Sequence, residues 1–213
     1  MASGRGDDGG PVVRLGGEAD AAAAGQLHAE QIAGGFLSFL GPEFLTRLYR
    51  RICRSTSSFL LVAEERGQIV GFVAGCTDLR SLYRAFLLRD GLASAFGALG
   101  RLLRGWRRAL ETLRHSSADA VGTGRGVELL AIAVDRSHQG RGIGNQLVEA
   151  FLERVTADQV QAAYVVVAAE NVQAVSLYRR AGFVGADEFE LHAGSASLLM
   201  QWDAGSSDPG DRA

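Results

Sequence analysis

Residues Val127 to Leu147, VELLAIAVDRSHQGRGIGNQL, restrict the fold more than any other stretch of the chain. An apolar run of strand length ends at Val134, a polar turn follows, then Gln139-Gly140-Arg141-Gly142-Ile143-Gly144, then a helical pattern from near Asn145. Strand, glycine-rich turn and helix start form a cradle for an anion. Glycine lets the backbone come close to a ligand, and the first helical N–H groups have no partner inside the helix. Those groups and the helix dipole favour phosphate or pyrophosphate. The pattern predicts a chain that binds a phosphate-bearing small molecule through Gln139 to Gly144.

Two common phosphate loops are excluded. The chain contains no lysine, so a loop of the form G-x-x-x-x-G-K-[ST] is impossible. Glycines at 140, 142 and 144 do not meet the dinucleotide spacing G-x-G-x-x-G. Further along, Asn171 to Phe183 reads NVQAVSLYRRAGF, with a strand-like run Ala162 to Ala168 (AAYVVVA) between the two segments.

The order Q-x-x-G-x-G, strand, N-x-x-A-x-x-L-Y-x-x-x-G-F resembles the GNAT superfamily of acetyl-CoA-dependent N-acetyltransferases. The resemblance covers Glu128 to Phe183 firmly and the flanks loosely. It implies an α/β (α+β) GNAT fold: a mixed central sheet, splayed at the acetyl-CoA site and flanked by helices. It also implies an acyltransferase that moves acetyl from acetyl-CoA to a primary amine by direct transfer in a ternary complex.

The resemblance assigns roles to particular residues. The pyrophosphate would lie on Gln139, Gly140, Arg141, Gly142, Ile143, Gly144 and Asn145. The pantetheine arm would run along the splayed strand at Ala131, Ile132, Ala133 and Val134, with an N–H near Ile132 polarising the thioester carbonyl. Asn171 would contact the cofactor, and as the first residue of a helix it is also a capping residue. Tyr178 matches the tyrosine that protonates the departing thiolate; a phenol's ordinary pKa of about 10 suits that exchange. Glu128 falls where several family members place a catalytic glutamate. An ordinary glutamate is a weak base for this work. Deprotonating a lysine-like amine at neutral pH is uphill by roughly 4–5 kcal/mol, an α-amine by about 1 kcal/mol.

The remaining sequence sets limits. A formal net charge of −2 gives no basic field for nucleic acid. Cys53 and Cys76 have no metal-ligand spacing, and no His/Cys/Asp cluster does, so no metal is expected. The start lacks the apolar core of a signal peptide and no run of about 18 apolar residues occurs, so a cytoplasmic setting is expected. Polar tails are predicted at 1–10 and 204–213, around a single domain at 11–203. Its elements are predicted as a strand at Val12 to Leu15, helices at Glu18 to Gly34 and Pro42 to Arg54, a hairpin of Phe59 to Glu65 with Gln68 to Cys76, and closing strands at Phe183 to Glu190 and Ser197 to Trp202.

Leu79 to His115 is an extra helical insertion, broken near Asp90-Gly91. It has an apolar stripe at Leu92, Phe96, Leu99, Leu103, Trp106, Leu110 and Leu113, and eight arginines. It reads as a wall of the acceptor site, as a homodimer face, or as a membrane-surface helix. The arginines suit an acceptor with a carboxylate or phosphate, such as a nucleotide-linked amino sugar. A small amine is therefore the expected acceptor. A protein N-terminus or lysine is the alternative, and a non-catalytic acyl-CoA-binding module the second.

Overall fold

The computed structural model describes residues 10–32, 37, 40–89, 126–192 and 195–205. The second part of the predicted insertion, with its break and its apolar stripe, and both predicted tails apart from residues 10, 204 and 205, lie outside the described residues.

Seven strands form one sheet in the order β1-β2-β3-β4-β5-β7-β6. They are β1 (Val12–Leu15), β2 (Ser58–Glu65), β3 (Gln68–Cys76), β4 (Val127–Val134), β5 (Ala162–Ala168), β6 (Val184–His192) and β7 (Ser195–Asp203). The helices described over their full length that flank it are α1 (Ala21–Gln31), α2 (Pro42–Arg54), α3 (Leu79–Arg89), α4 (Ile143–Ala157) and α5 (Val172–Arg180). Every pairing is antiparallel except β4 with β5.

The element order follows the sequence reading, with shifted ends. The first helix stops at Gln31 rather than Gly34 and opens with a 3-10 turn at Glu18–Asp20. The closing strands run to His192 and from Ser195, because their mutual ladder holds polar residues extended.

The two sheet faces bury different helices. On one face α4 and α5 contribute Ile143, Leu147, Val148, Phe151, Val155, Val175 and Tyr178 to the core. On the other α1, α2 and α3 contribute Ala21, Ala24, Leu27, Leu45, Leu48, Tyr49, Ile52, Leu82 and Phe86. Helix α2 shows why its residues choose this state. Pro42 at its start needs no intrahelical N–H partner, Glu43 in the first turn and Arg51 and Arg54 in the last complement the dipole, and Leu45, Leu48, Tyr49 and Ile52 recur on the buried side. Helix α1 is small-residued because α2 crosses it closely. A Cβ at Gly25 would stand 2.8 Å from the Thr46 backbone nitrogen.

Between α1 and α2 lies a buried polar pair. His28 Nδ1 and the Tyr49 hydroxyl are 2.7 Å apart, and the imidazole stacks on Phe72 at 6.4 Å between centroids. Burial pushes the His28 imidazole down to about 4 from its ordinary 6.5. The unfolded chain thus takes up this proton first. The contribution to stability is complete above pH 6.5 and is lost as pH falls toward 4, with a ceiling of roughly 3 kcal/mol for the whole shift. Denaturant unfolding at pH 7.0 and pH 5.0 (both about) is expected to show lower stability at the acid value, and His28→Gln, which keeps a partner for Tyr49, is expected to flatten that difference.

Candidate active site

The site begins with an irregularity in β4. Against β3 the register runs Ala74↔Ala131 and then Gly75↔Leu129, so Leu130 is an extra residue. This bulge reverses the alternation. Val127 and Leu129 pack toward α4 and α5, Leu130 and Ala131 both pack toward α1 and α2, and from there Ile132 and Val134 return to the α4 side. A bulge bends its strand and strengthens the local twist. On the other side β4 pairs with β5 only at Val127↔Ala163 and Glu128↔Tyr164. Beyond Glu128 the two parallel strands have no register pairs, so β4 turns backbone groups without a β5 partner toward the gap.

That gap is a cleft of about 420 Å³. It is lined by Ile132, Ala133 and Val134 of β4, by the loop residues His138, Gln139, Gly140 and Gly142, by Ile143, Gly144 and Asn145 at the start of α4, and by Asn171, Gln173, Ala174, Leu177 and Arg180 at and along α5. Gln31 closes it from the end of α1. Among these described residues there is no carboxylate.

The loop has a defined internal geometry. The Gln139 side-chain amide donates to the Val134 carbonyl at 3.0 Å, which ties the turn to the strand end. Asp135 accepts from the Ser137 N–H at 2.9 Å and from its hydroxyl, which forms a 3-10 turn at Arg136–His138. Gly140 (φ 77°) and Gly142 (φ 81°) are left-handed, a conformation that costs other residues roughly 1–2 kcal/mol. Gly142 is the N-cap of α4, whose first bond runs from the Gln146 N–H to the Gly142 carbonyl at 3.1 Å. The N–H groups of Ile143, Gly144 and Asn145 accordingly have no carbonyl four residues back within the helix. The helix starts at Ile143, two residues before the expected Asn145, because helical dihedrals resume directly after the left-handed Gly142. Three N–H groups at a helix start, no acidic lining and an apolar strand edge fit a pyrophosphate followed by a pantetheine arm.

Ten of the residues expected to bind the cofactor line this cleft: Ile132, Ala133, Val134, Gln139, Gly140, Gly142, Ile143, Gly144, Asn145 and Asn171. Asn171 also caps α5, its side-chain oxygen accepting from the Ala174 N–H at 3.1 Å. The Arg141 side chain stands outside the lining and forks onto Glu65 at 2.6 and 2.9 Å.

The two expected catalytic residues stand apart from the cleft lining. Tyr178 follows Leu177 on α5, is 4% exposed, and has its ring 5.7 Å from that of Phe183. Burial raises its phenol above the ordinary value of 10, so it remains protonated at neutral pH. Glu128 is half-buried at the last β4–β5 pair, opposite Cys76 of β3. Tyr83 of α3 faces the same region: burial pushes its phenol up to about 12, and Glu128 adds to the shift. Gln31 and Gln173 were not legible as site residues, because each reaches the cleft by the packing of its helix rather than by a motif, whereas Ala174 and Leu177 are the alanine and leucine of the N-x-x-A-x-x-L-Y pattern. Arg180 falls at an unspecified position inside the N-x-x-A-x-x-L-Y-x-x-x-G-F pattern and His138 directly before Gln139, so neither is assigned by a motif.

Comparison with known proteins agrees with this geometry. The family model described as the acetyltransferase (GNAT) family matches residues 29–183. The chain belongs to the GNAT acetyltransferase family. Members are acyltransferases that use acetyl-CoA. A search of curated proteins found no match in sequence. Similar solved structures include an acetyltransferase-family protein from Salmonella typhimurium with acetyl-CoA (TM-score 0.60, 15% identity, 96% of this chain and 100% of that one). The ribosomal-protein-S18-alanine N-acetyltransferase from Escherichia coli is similar as well (0.59, 14%, 95% and 99%). So is an N-acetyltransferase from Staphylococcus aureus Mu50 (0.61, 14%, 92% and 99%). At these identities the likeness shows the fold, and the seven-strand open sheet is that of the GNAT enzymes.

A Cβ at Gly142 would meet nothing within 4 Å, so its cost is conformational only, whereas at Gly144 it would rest on Leu177 at an ordinary 3.6 Å. Gly142→Ala is expected to lower stability by about 1 kcal/mol or more and to weaken CoA binding. Gly144→Ala is expected to leave the melting temperature unchanged or higher. Thermal unfolding with calorimetric CoA titration checks both.

Proposed function

We propose that this GNAT enzyme transfers acetyl from acetyl-CoA directly to the primary amine of a small molecule bearing an anionic group. The carrying observation is the cleft between β4 and β5, open at Ile132–Val134 and closed at its polar end by the three N–H groups starting α4. Support for a small acceptor comes from α3. It packs Leu82 and Phe86 into the core beside Cys76 and Ala131, with Phe86 edge-on to Phe44 of α2 at 5.1 Å, so it walls the Glu128 end. Arg80, Arg84 and Arg89 on the same helix support recognition of a carboxylate or phosphate on the acceptor.

Acetyl-CoA supplies the activated thioester. The chain's residues then have three tasks. The β4 N–H near Ile132 donates to the carbonyl oxygen as negative charge gathers there. Glu128 takes the proton that the amine loses as its nitrogen bonds to the carbonyl carbon, directly or through water. Tyr178 gives its phenolic proton to the sulfur as the carbon–sulfur bond breaks. With ordinary values of about 10 and 8.5, that last transfer is uphill by only about 2 kcal/mol, small against the cost of expelling a bare thiolate. Burial keeps the Tyr178 phenol protonated and so able to donate, while the same upward shift makes it a weaker acid than a free phenol and the transfer correspondingly more uphill.

Free-thiol release from acetyl-CoA, measured against amino sugars, nucleotide-linked amino sugars, polyamines, amino acids and peptides, tests the reading. Release above hydrolysis with an anionic small amine is expected. Tyr178→Phe is expected to lower kcat by about 100-fold, in the range of a general acid, with CoA affinity unchanged. Turnover confined to peptides would replace the small-molecule acceptor, and CoA binding without turnover on any amine would replace the enzyme by a binding module.

A further inference from the structure

The phosphate loop is fastened to a neighbouring hairpin through one carboxylate. Glu65 is the last residue of β2, directly before the two-residue turn Arg66-Gly67, both of whose residues have positive φ (52° and 78°). That turn and the pair Glu65↔Gln68 fix where the Glu65 side chain projects. It reaches past β3 to the loop after β4. Its two oxygens take the Arg141 guanidinium at 2.6 and 2.9 Å, and Oε2 also lies 3.1 Å from His138 Nε2. The other imidazole nitrogen of His138 lies 3.1 Å from Asp135 Oδ1 and 2.8 Å from the Ser137 hydroxyl. A backbone bond completes the fastening: the Asp135 N–H donates to Val70 at 2.8 Å, and Val70 is the extra residue where the β2–β3 register slips.

His138 lines the cleft, and Arg141 lies between the two left-handed glycines. Glu65 therefore holds two residues of the loop that leads into the N–H groups offered to the pyrophosphate, without lining the cleft itself. The fork with the Arg141 guanidinium keeps the Glu65 carboxyl ionised, below the usual carboxylate range. The Arg141 side chain is exposed and Glu65 only partly covered, and ion pairs at such a surface add little to global stability. A bidentate fork nonetheless adds directional constraint to a charge pair.

We infer that Glu65 is a positioning residue for acyl-donor binding: through Arg141 and His138 it sets the conformation of the Gln139–Gly144 loop. This rests on the reading of the cleft as a CoA site. It makes an opposite demand to simple electrostatics. A carboxylate near an anion site repels the ligand, so if Glu65 were only a nearby charge, its neutralisation would tighten binding. If it positions the loop, neutralisation weakens binding.

The experiment is calorimetric titration of the full chain with CoA, alongside thermal unfolding and steady-state kinetics. Glu65→Gln is expected to raise the CoA Kd and the KM for acetyl-CoA about fivefold, with kcat at saturation within about twofold and the melting temperature unchanged; coupled pairs in one ion network commonly act on this scale. Arg141→Ala is expected to weaken binding similarly, and the double variant no more than the worse single one. Unchanged or tighter binding by Glu65→Gln overturns the inference, as do fully additive losses in the double variant. Failure of the wild-type chain to bind CoA overturns the site reading and this inference with it.

Discussion

The structure depends on the parting of β4 from β5. Two parallel strands that begin side by side at Val127–Ala163 would ordinarily continue their ladder, and each unmade backbone bond has a cost if no other partner is found. Here the ladder stops after Glu128↔Tyr164. The bulge at Leu130 bends β4 and is held by antiparallel pairing to β3 on its far side. The sheet survives the opening because β5 takes seven pairs from β7 on its other edge. Each strand is thus anchored away from the gap, and the gap becomes a place where a ligand can supply the missing hydrogen bonds.

Everything that makes the cleft chemically useful is arranged around that opening. The strand's end delivers the chain into a turn tied by Gln139 to Val134, and left-handed Gly142 sets the first turn of α4 at the gap's polar end. Asn171 starts α5 on the opposite wall while its side chain caps the helix. The start of α4 thus offers donors to a volume walled on the other side by α5, with no carboxylate among its described lining residues. The apolar strand edge and the donor-rich turn together match a ligand with a long arm and a charged end.

The candidate catalytic groups sit deeper. Tyr178 belongs to the core between α5 and Phe183 and is protonated by its burial, and Glu128 stands where the ladder ends. The position of α3 gives that end its character. Burial, with Glu128 adding to it, raises both the Tyr83 phenol and the Cys76 thiol there, the thiol to about 11, leaving it unreactive at neutral pH.

Sequence alone determined the elements and the ligand cradle, because both follow from local rules. Apolar runs of strand length bounded by turn residues predicted AAYVVVA and the hairpin of Phe59 to Glu65 with Gln68 to Cys76. The glycines of the 139–144 loop announced a close backbone approach to a ligand, and Asn171 announced a cap. Ten of the cleft-lining residues were therefore readable in advance. What only the tertiary structure decided depends on register between distant segments. A one-residue slip at Leu130 reverses which side chains of β4 face each layer, and no local propensity encodes it. Gln31 and Gln173 reach the cleft because of where their helices pack, not because of what precedes them in the chain. The same holds for Arg141, which stands in the loop expected to carry the pyrophosphate but whose side-chain fork is filled by Glu65, 76 residues away. Pairings across that sequence distance are set by the sheet order β2-β3-β4, which brings a hairpin end beside a loop that the linear sequence keeps apart.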